Sequence, residues 1–297
     1  MEGQCRLCLK QGKLENSHII PSFLYRWLKE TSGTGFLRFG RSPNRRVQDG
    51  YKDYWLCPNC EDLLSKWETE FAEKVFHPLV SGQASTFQYQ DWLLKFGVSL
   101  SWRVLLYIKE TADLSHFPER LRQETDKALA RWAAFLLGQE SHPAKYEQHM
   151  LPLDIIAGYT GGEMPPNINR YLLRSVDIDA VCSGSEAFVY VKLPHVLLVG
   201  FVHIKRPREW QGTKIHVRHG TLGAQNYVLP KEFGEYVMDQ AQRLKELQES
   251  ISEAQNKKIE ESFGKVIDKL PLSGSFKAMH ADVQLFGQDA LLKKKGS

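Results

Sequence analysis

Two four-residue stretches, Cys5-Arg6-Leu7-Cys8 and Cys57-Pro58-Asn59-Cys60, decide how the first part of this chain folds. Each C-x-x-C turn aims two thiolates at one point. Two such turns complete a tetrahedral set of four sulfurs, the geometry and donor type that zinc prefers. The competing readings are disulfides, which a reducing cytosol disfavours, and iron, for which no accompanying redox motif argues. The reading is therefore one structural zinc shared by Cys5, Cys8, Cys57 and Cys60. The fifth cysteine, Cys182, lies in a strand-like segment and reads as a small buried side chain.

The 48 residues between Cys8 and Cys57 exceed a simple zinc ribbon, so further structure is built between the turns. After Cys8 comes Glu15-Asn16-Ser17-His18-Ile19-Ile20-Pro21, and directly before Cys57 comes the strand-like run Asp53-Tyr54-Trp55-Leu56. Glu61 to Glu68 then opens a helix expected to continue to about Phe76. The order is cysteine turn, strand with a histidine, strand, cysteine turn, helix. In that order, with Ser-His-Ile-Ile-Pro between the turns, the sequence resembles the HNH endonucleases, the ββα-metal nucleases. Many of these carry C-x-x-C, an x-H-I-x-P strand, and L-C-x-x-C-[HN] at the helix start. The resemblance covers roughly residues 5–76, about a quarter of the chain.

What the resemblance implies is phosphodiester hydrolysis. That reaction needs a base to take a proton from water and a cation to stabilise charge on the phosphate and the leaving oxygen. By resemblance His18 is the base. The preceding family residue, often Asp or His and a metal ligand, is Ser17 here, a poor ligand. The residue after the last cysteine, usually His or Asn, is Glu61, a hard oxygen donor suited to Mg or Mn. The family's middle Asn, which braces the histidine, has two candidates, Asn44 and Asp53. HNH-like domains often belong to restriction, phage-defence or mobile-element systems, and the resemblance extends that expectation to this chain. DNA is the first expected substrate and RNA the alternative. The competing reading is a catalytically inactive, zinc-stabilised binding protein whose Ser17 and Glu61 mark a lost metal site.

Between Arg38 and Lys52 stand Arg38, Arg41, Arg45, Arg46 and Lys52 against Asp49 alone, a local net of +4. Arg45 and Arg46 are the expected contacts to a phosphate backbone. The helix that follows is acidic, which turns the expected nucleic-acid contact toward the loop.

Ser81 to Thr86 is a run of small residues and the expected boundary between a module at 1–80 and a larger domain at 86–297. Asp91–Lys109 is apolar on most faces and reads as a buried helix; Pro118–Leu137 reads as an amphipathic one. Strands are expected at Met150–Ile156, Ile168–Asp177, Ala187–Leu193, Val196–Ile204 and Lys214–Arg218. One long helix is expected from Lys231 to about Phe263, its narrow seam (Val237, Ala241, Leu244, Leu247, Ile251, Ala254) suited to its own domain or to a homodimer. The fold class is α+β: a zinc-stapled ββα-like module plus a domain with an antiparallel sheet and a long C-terminal helix.

Composition sets the outer limits. Charged residues are 25% and hydrophobic residues 42%, which excludes a disordered or fibrous chain. No apolar run reaches the roughly 18 residues needed to cross a bilayer, since Lys95 and Arg103 interrupt the closest candidate. Met1 to Cys5 resembles no secretory signal, so the expected location is the cytoplasm. The net charge of +4 (39 basic minus 35 acidic residues) permits a nucleic-acid partner without requiring one.

Overall fold

The computed structural model describes residues 1–39, 42–159, 161–184, 186–223, 226–264, 271 and 273–291. Gly40 and Arg41 of the basic loop and the lysines at 293–295 lie outside these described residues.

The first cysteine turn is carried by a two-stranded antiparallel ribbon, β1 (Glu2–Gln4) and β2 (Gln11–Lys13). The Cys5 N–H donates to the Lys10 carbonyl and the Leu9 N–H to the Cys5 carbonyl, both at 2.9 Å. Leu9 adopts a left-handed conformation (φ 60°) to close this turn, a conformation that disfavours a Cβ-bearing residue. Then come β3 (Glu15–His18), α1 (Ser22–Glu30), a hairpin of β4 (Leu37–Phe39) and β5 (Ser42–Val47), and β6 (Lys52–Leu56). β6 runs antiparallel to β3, with Ser17 opposite Asp53 and His18 opposite Lys52. The second cysteine turn opens α2 (Pro58–Phe71), with Pro58 at the first helical position, where its missing N–H costs nothing. α2 continues through one π-helical turn (Ala72–Phe76) into the short α3 (His77–Val80).

The rest of the chain contributes β7 (Thr86–Gln90), α4 (Asp91–Thr111), α5 (Glu119–Leu136), β8 (Gln148–Pro152), α6 (Ile168–Arg174) and β9 (Asp177–Ser183). It continues with β10 (Glu186–Leu193), β11 (Val196–His203), β12 (His219–Gly223), α7 (Lys231–Glu249), α8 (Glu253–Gly264) and α9 (Gly274–Phe286). Four strands form one antiparallel sheet in the order β8-β11-β10-β9, and β12 pairs separately with β7. The architecture is α+β.

Both faces of this sheet are covered, which explains why β10 and β11 read as continuous apolar runs. Ala187, Val189, Val191 and Leu193 turn toward α4, whereas Phe188 and Tyr190 turn toward Tyr171, Phe233, Val237 and Ala241. α4 is buried nearly all round because it also meets the N-terminal part. Phe71 of α2 stacks on Phe96 of α4 with ring centroids 4.0 Å apart. One apolar cluster extends from Cys5 and Leu7 through α4 to Val202 on β11, running past the turn at 81–85.

Three expectations about local structure are corrected. Residues 168–174 form a helix, not the first part of a strand, and the strand begins at Asp177. A short apolar run fits either period. Here the fully buried Asp282 of α9 decides it, accepting hydrogen bonds from the Asn169 and Arg170 amides at the start of α6 (2.7 and 3.2 Å). Segment 214–218 supplies only an isolated bridge, Lys214 to His149, and the strand lies further on at β12. The long helix α7 ends at Glu249, and α8 begins after a break at Ser250–Ser252. The Ser252 N–H donates to Asn44 Oδ1 (2.8 Å), so the break docks on the β4–β5 hairpin. The seam residues Val237 and Ala241 are buried against the chain's own sheet.

α4 approaches β11 closely at Gly200. A Cβ added there would lie 2.2 Å from Ser101 Oγ, whose hydroxyl is buried and donates to Gln148 Oε1 (2.7 Å). Gly200→Ala is expected to destabilise the protein by about 1–3 kcal/mol, read as a lower urea midpoint.

The two-residue turn between β10 and β11 ends in His195 (φ 61°). Burial first, then the charge of Lys192, hold its imidazole down at about 4. The folded state therefore resists a proton that the unfolded chain accepts below about pH 6.5. Stability is expected to fall as pH drops from 6.5 toward 4. In His195→Asn, whose side chain also tolerates positive φ, that slope should flatten, measured by urea midpoints across this range.

Candidate functional site

The four cysteine sulfurs converge. Those of Cys5, Cys8, Cys57 and Cys60 all lie within 4.8 Å of one another, and the Cys8 and Cys57 sulfurs are 3.7 Å apart. A tetrahedral zinc with bonds of about 2.3 Å has sulfur–sulfur edges of roughly 3.8 Å, so the cluster can hold a zinc ion. Cys5 and Cys60 are buried, and the Arg6 N–H donates to the Trp55 carbonyl (2.8 Å), seating the first turn on β6 beside the second. The thiols do not ionise alike. Burial opposes ionisation of Cys5, but backbone hydrogen bonds at Cys8, Cys57 and Leu7 outweigh it and bring the thiol to about 7. Burial pushes Cys8 up, and burial with the Cys5 charge pushes Cys60 up. A divalent ion reverses this penalty by binding the thiolates directly.

Beside this centre, β3 presents two side chains in opposite directions, as successive strand residues must. Ser17 is buried and donates to Glu61 Oε2 (2.6 Å) in the first turn of α2. His18 is 19% exposed, and its Nε2 lies 3.0 Å from both carboxylate oxygens of Asp49. Asp49 also pairs with Lys52 (2.6 Å) and accepts from the Gly50 N–H (2.9 Å). Burial works against ionising Asp49, but the hydrogen bonds from Lys52 and His18 prevail and hold the carboxyl down at about 2. The His18 carbonyl accepts from Arg103 Nη1 (3.0 Å), and the same guanidinium nitrogen pairs with Glu68 (2.7 Å). Arg103 thus fixes the end of β3 against both α2 and α4.

The other expected site residues are dispersed. Asp53 sits opposite Ser17 on β6, exposed, and accepts from its neighbour's N–H at Tyr54. Asn44 makes its hydrogen bond to Ser252, not to His18. Arg45 is exposed on β5. Arg46 turns the other way, lies over the Phe36 ring (4.3 Å) and donates to the Lys258 carbonyl (3.2 Å). The histidine's partner is Asp49, noted in the sequence only as the lone acid among the loop's basic residues. Its spacing three residues before Lys52, itself opposite His18, was the available signal. Among the described residues, the four cysteines are the sole group of three or more His, Cys, Asp or Glu side chains placed to share an ion. Glu61 belongs to no such group.

Among the described residues no helix is long and apolar enough to cross a membrane. Comparison with protein-family models, with curated proteins and with solved structures finds no match for this chain.

Metal analysis of the purified protein is expected to find about one zinc per chain. Stripping it with a strong chelator, or replacing Cys60 with Ala, should remove the ion and lower the thermal midpoint. Ligation of this kind contributes about 10 kcal/mol or more to folding in small zinc domains. A metal-free protein of unchanged midpoint would sink the structural-zinc reading.

Proposed function

We propose that the N-terminal part is a zinc-stapled, HNH-like nuclease module that hydrolyses nucleic-acid phosphodiesters, DNA first. One observation carries the reading. The histidine of β3, antiparallel to a strand that passes through a cysteine turn into a helix, is held at one nitrogen by a carboxylate. Asp49, ionised at neutral pH, accepts the Nε2–H of His18. This leaves the Nδ1 lone pair to take a proton from an attacking water. The same carboxylate then stabilises the imidazolium, the role an orienting acid plays beside any histidine base.

Glu61, steadied by Ser17, would hold a divalent cation, which when bound supplies charge for the phosphate and the leaving oxygen. Arg45, exposed on β5, supplies a contact to the phosphate backbone. A second reading is favoured by one specific observation: no described cluster beyond the cysteines gathers three ligands for an ion. In that reading the module is a catalytically silent, zinc-stabilised binding head.

Plasmid nicking in Mg or Mn distinguishes them. The wild type is expected to nick. His18→Ala should lose about 100-fold or more, the usual contribution of a general base. Asp49→Asn should lose less and keep its zinc. Equal, background-level activity in wild type and His18→Ala leaves the binding reading standing.

A further inference from the structure

A cavity of about 740 Å³ lies between the β4–β5 hairpin, α1 and the face of the sheet that carries α6 and α7. That volume is in the range of small-molecule sites, about 300–1,000 Å³. Five arginines line it: Arg38, Arg46, Arg170, Arg174 and Arg243. Arg38 and Arg46 face each other across the hairpin. Their guanidiniums meet only neutral acceptors. Arg38 donates to the Pro43 carbonyl (2.8 Å) and to Gln255 Oε1 (3.4 Å), and Arg46 to the Lys258 carbonyl (3.2 Å) and Ser262 Oγ (3.4 Å). The Arg46 Nε is buried with no hydrogen-bond partner. Arg174 donates to Thr31 Oγ1 (2.7 Å) and the Leu28 carbonyl (2.9 Å).

Among the described residues Arg38, Arg46, Arg174 and Arg243 form no ion pair, whereas Arg170 pairs with Asp282 (2.8 Å). Away from the cavity the nearly buried Arg103 has a carboxylate partner in Glu68. Burial, then the charge of Arg46, hold the Arg38 guanidinium below its usual range. Burial alone brings Arg174 to about 10. Although Asp49, Asp177 and Asp179 share the lining, the partly buried Arg38, Arg46 and Arg174 have no carboxylate partner, which is costly, and an anion from outside would supply one.

The remaining walls say which kind of anion. Tyr51 and Tyr107, with ring centroids 5.2 Å apart, give an aromatic surface. Asp179 of β9 also lines the space; one carboxylate oxygen accepts from the Tyr236 hydroxyl and the other from the Ala180 N–H (both 2.8 Å), and each keeps a second lone pair for a further donor. A bare phosphate uses only the arginines. A nucleotide uses all three walls, with phosphate oxygens on guanidinium, a base on aromatic surface, and ribose hydroxyl or base amino donors on carboxylate.

We propose that this cavity is a binding site for a free nucleotide, its phosphate held by Arg38 and Arg46. The proposal goes beyond hydrolysis and stands whether or not His18 activates water. Asp49, which hydrogen-bonds His18, lines the same cavity.

The test uses the full-length zinc-loaded protein and trinitrophenyl-ATP, whose fluorescence rises on binding. Saturable one-to-one binding is expected, displaced by ATP and AMP and far less by inorganic phosphate or adenosine. Arg38→Gln and Arg46→Gln should each weaken it about 10-fold, in line with a lost charged hydrogen bond. Arg122→Gln, on the exposed face of α5, should leave it unchanged. Thr34→Glu, which places a carboxylate among the arginines, should abolish binding without lowering the thermal midpoint, and so decides the matter even if an arginine variant misfolds. ATP should raise the wild-type midpoint by mass action and leave that of Thr34→Glu unmoved. Absence of saturable binding, binding indifferent to all three substitutions, or displacement by phosphate as effective as by ATP would overturn the proposal. Displacement by a single-stranded oligonucleotide at concentrations equal to ATP would also overturn it, making the arginines part of a strand-binding surface.

Discussion

Convergence of four sulfurs is the constraint on which the N-terminal part depends. β3 and β6 make a sheet of only two strands, and β1 and β2 another. Ribbons of that size are marginal by themselves in water. Bringing Cys5 and Cys8 to Cys57 and Cys60 closes a loop of about fifty residues, and the sulfurs sit where one tetrahedral ion would hold them. The second turn does two jobs, since it also starts α2 and thereby sets Glu61 under Ser17. The cysteine centre thus aligns strand and helix without itself touching His18.

Packing then transmits this order to the rest of the molecule through α4. One side of that helix meets Phe71 and the other meets the four-stranded sheet, with Gly200 allowing the close approach. Arg103 adds a polar link at the same junction, holding the His18 carbonyl and Glu68 together from a nearly buried position. A charge buried there is tolerated because both its carboxylate and its carbonyl partners are in place. The backbone position of His18 is therefore set by α4, while its ring is set by Asp49. Arg170 is held in the same way by Asp282, whereas Arg38, Arg46 and Arg174, which line the same large cavity, have no carboxylate partner among the described residues.

Much of this was legible in the sequence because it rests on short-range rules. The cysteine spacing, the apolar runs of β10 and β11, the all-round apolar α4 and the order strand, strand, helix around the second turn each follow from local pattern. Local pattern failed where a distant group decided the outcome. Residues 168–174 become a helix because Asp282, more than a hundred residues further on, satisfies the first amides. The expected C-terminal helix divides where Ser252 docks on Asn44, whose side-chain oxygen accepts the Ser252 N–H.

By itself, then, the sequence determined the α+β class, the sulfur ligand set and the strand that carries the histidine, since thiol chemistry and side-chain periodicity act over a few residues. Tertiary structure alone decided that Asp49 partners His18, that Arg45 and Arg46 point apart, and that arginines from a hairpin and two helices share one cavity. The reason is physical: a charge's partner is chosen by distance through space and by the cost of leaving it unpaired away from water, and neither quantity is written in sequence order.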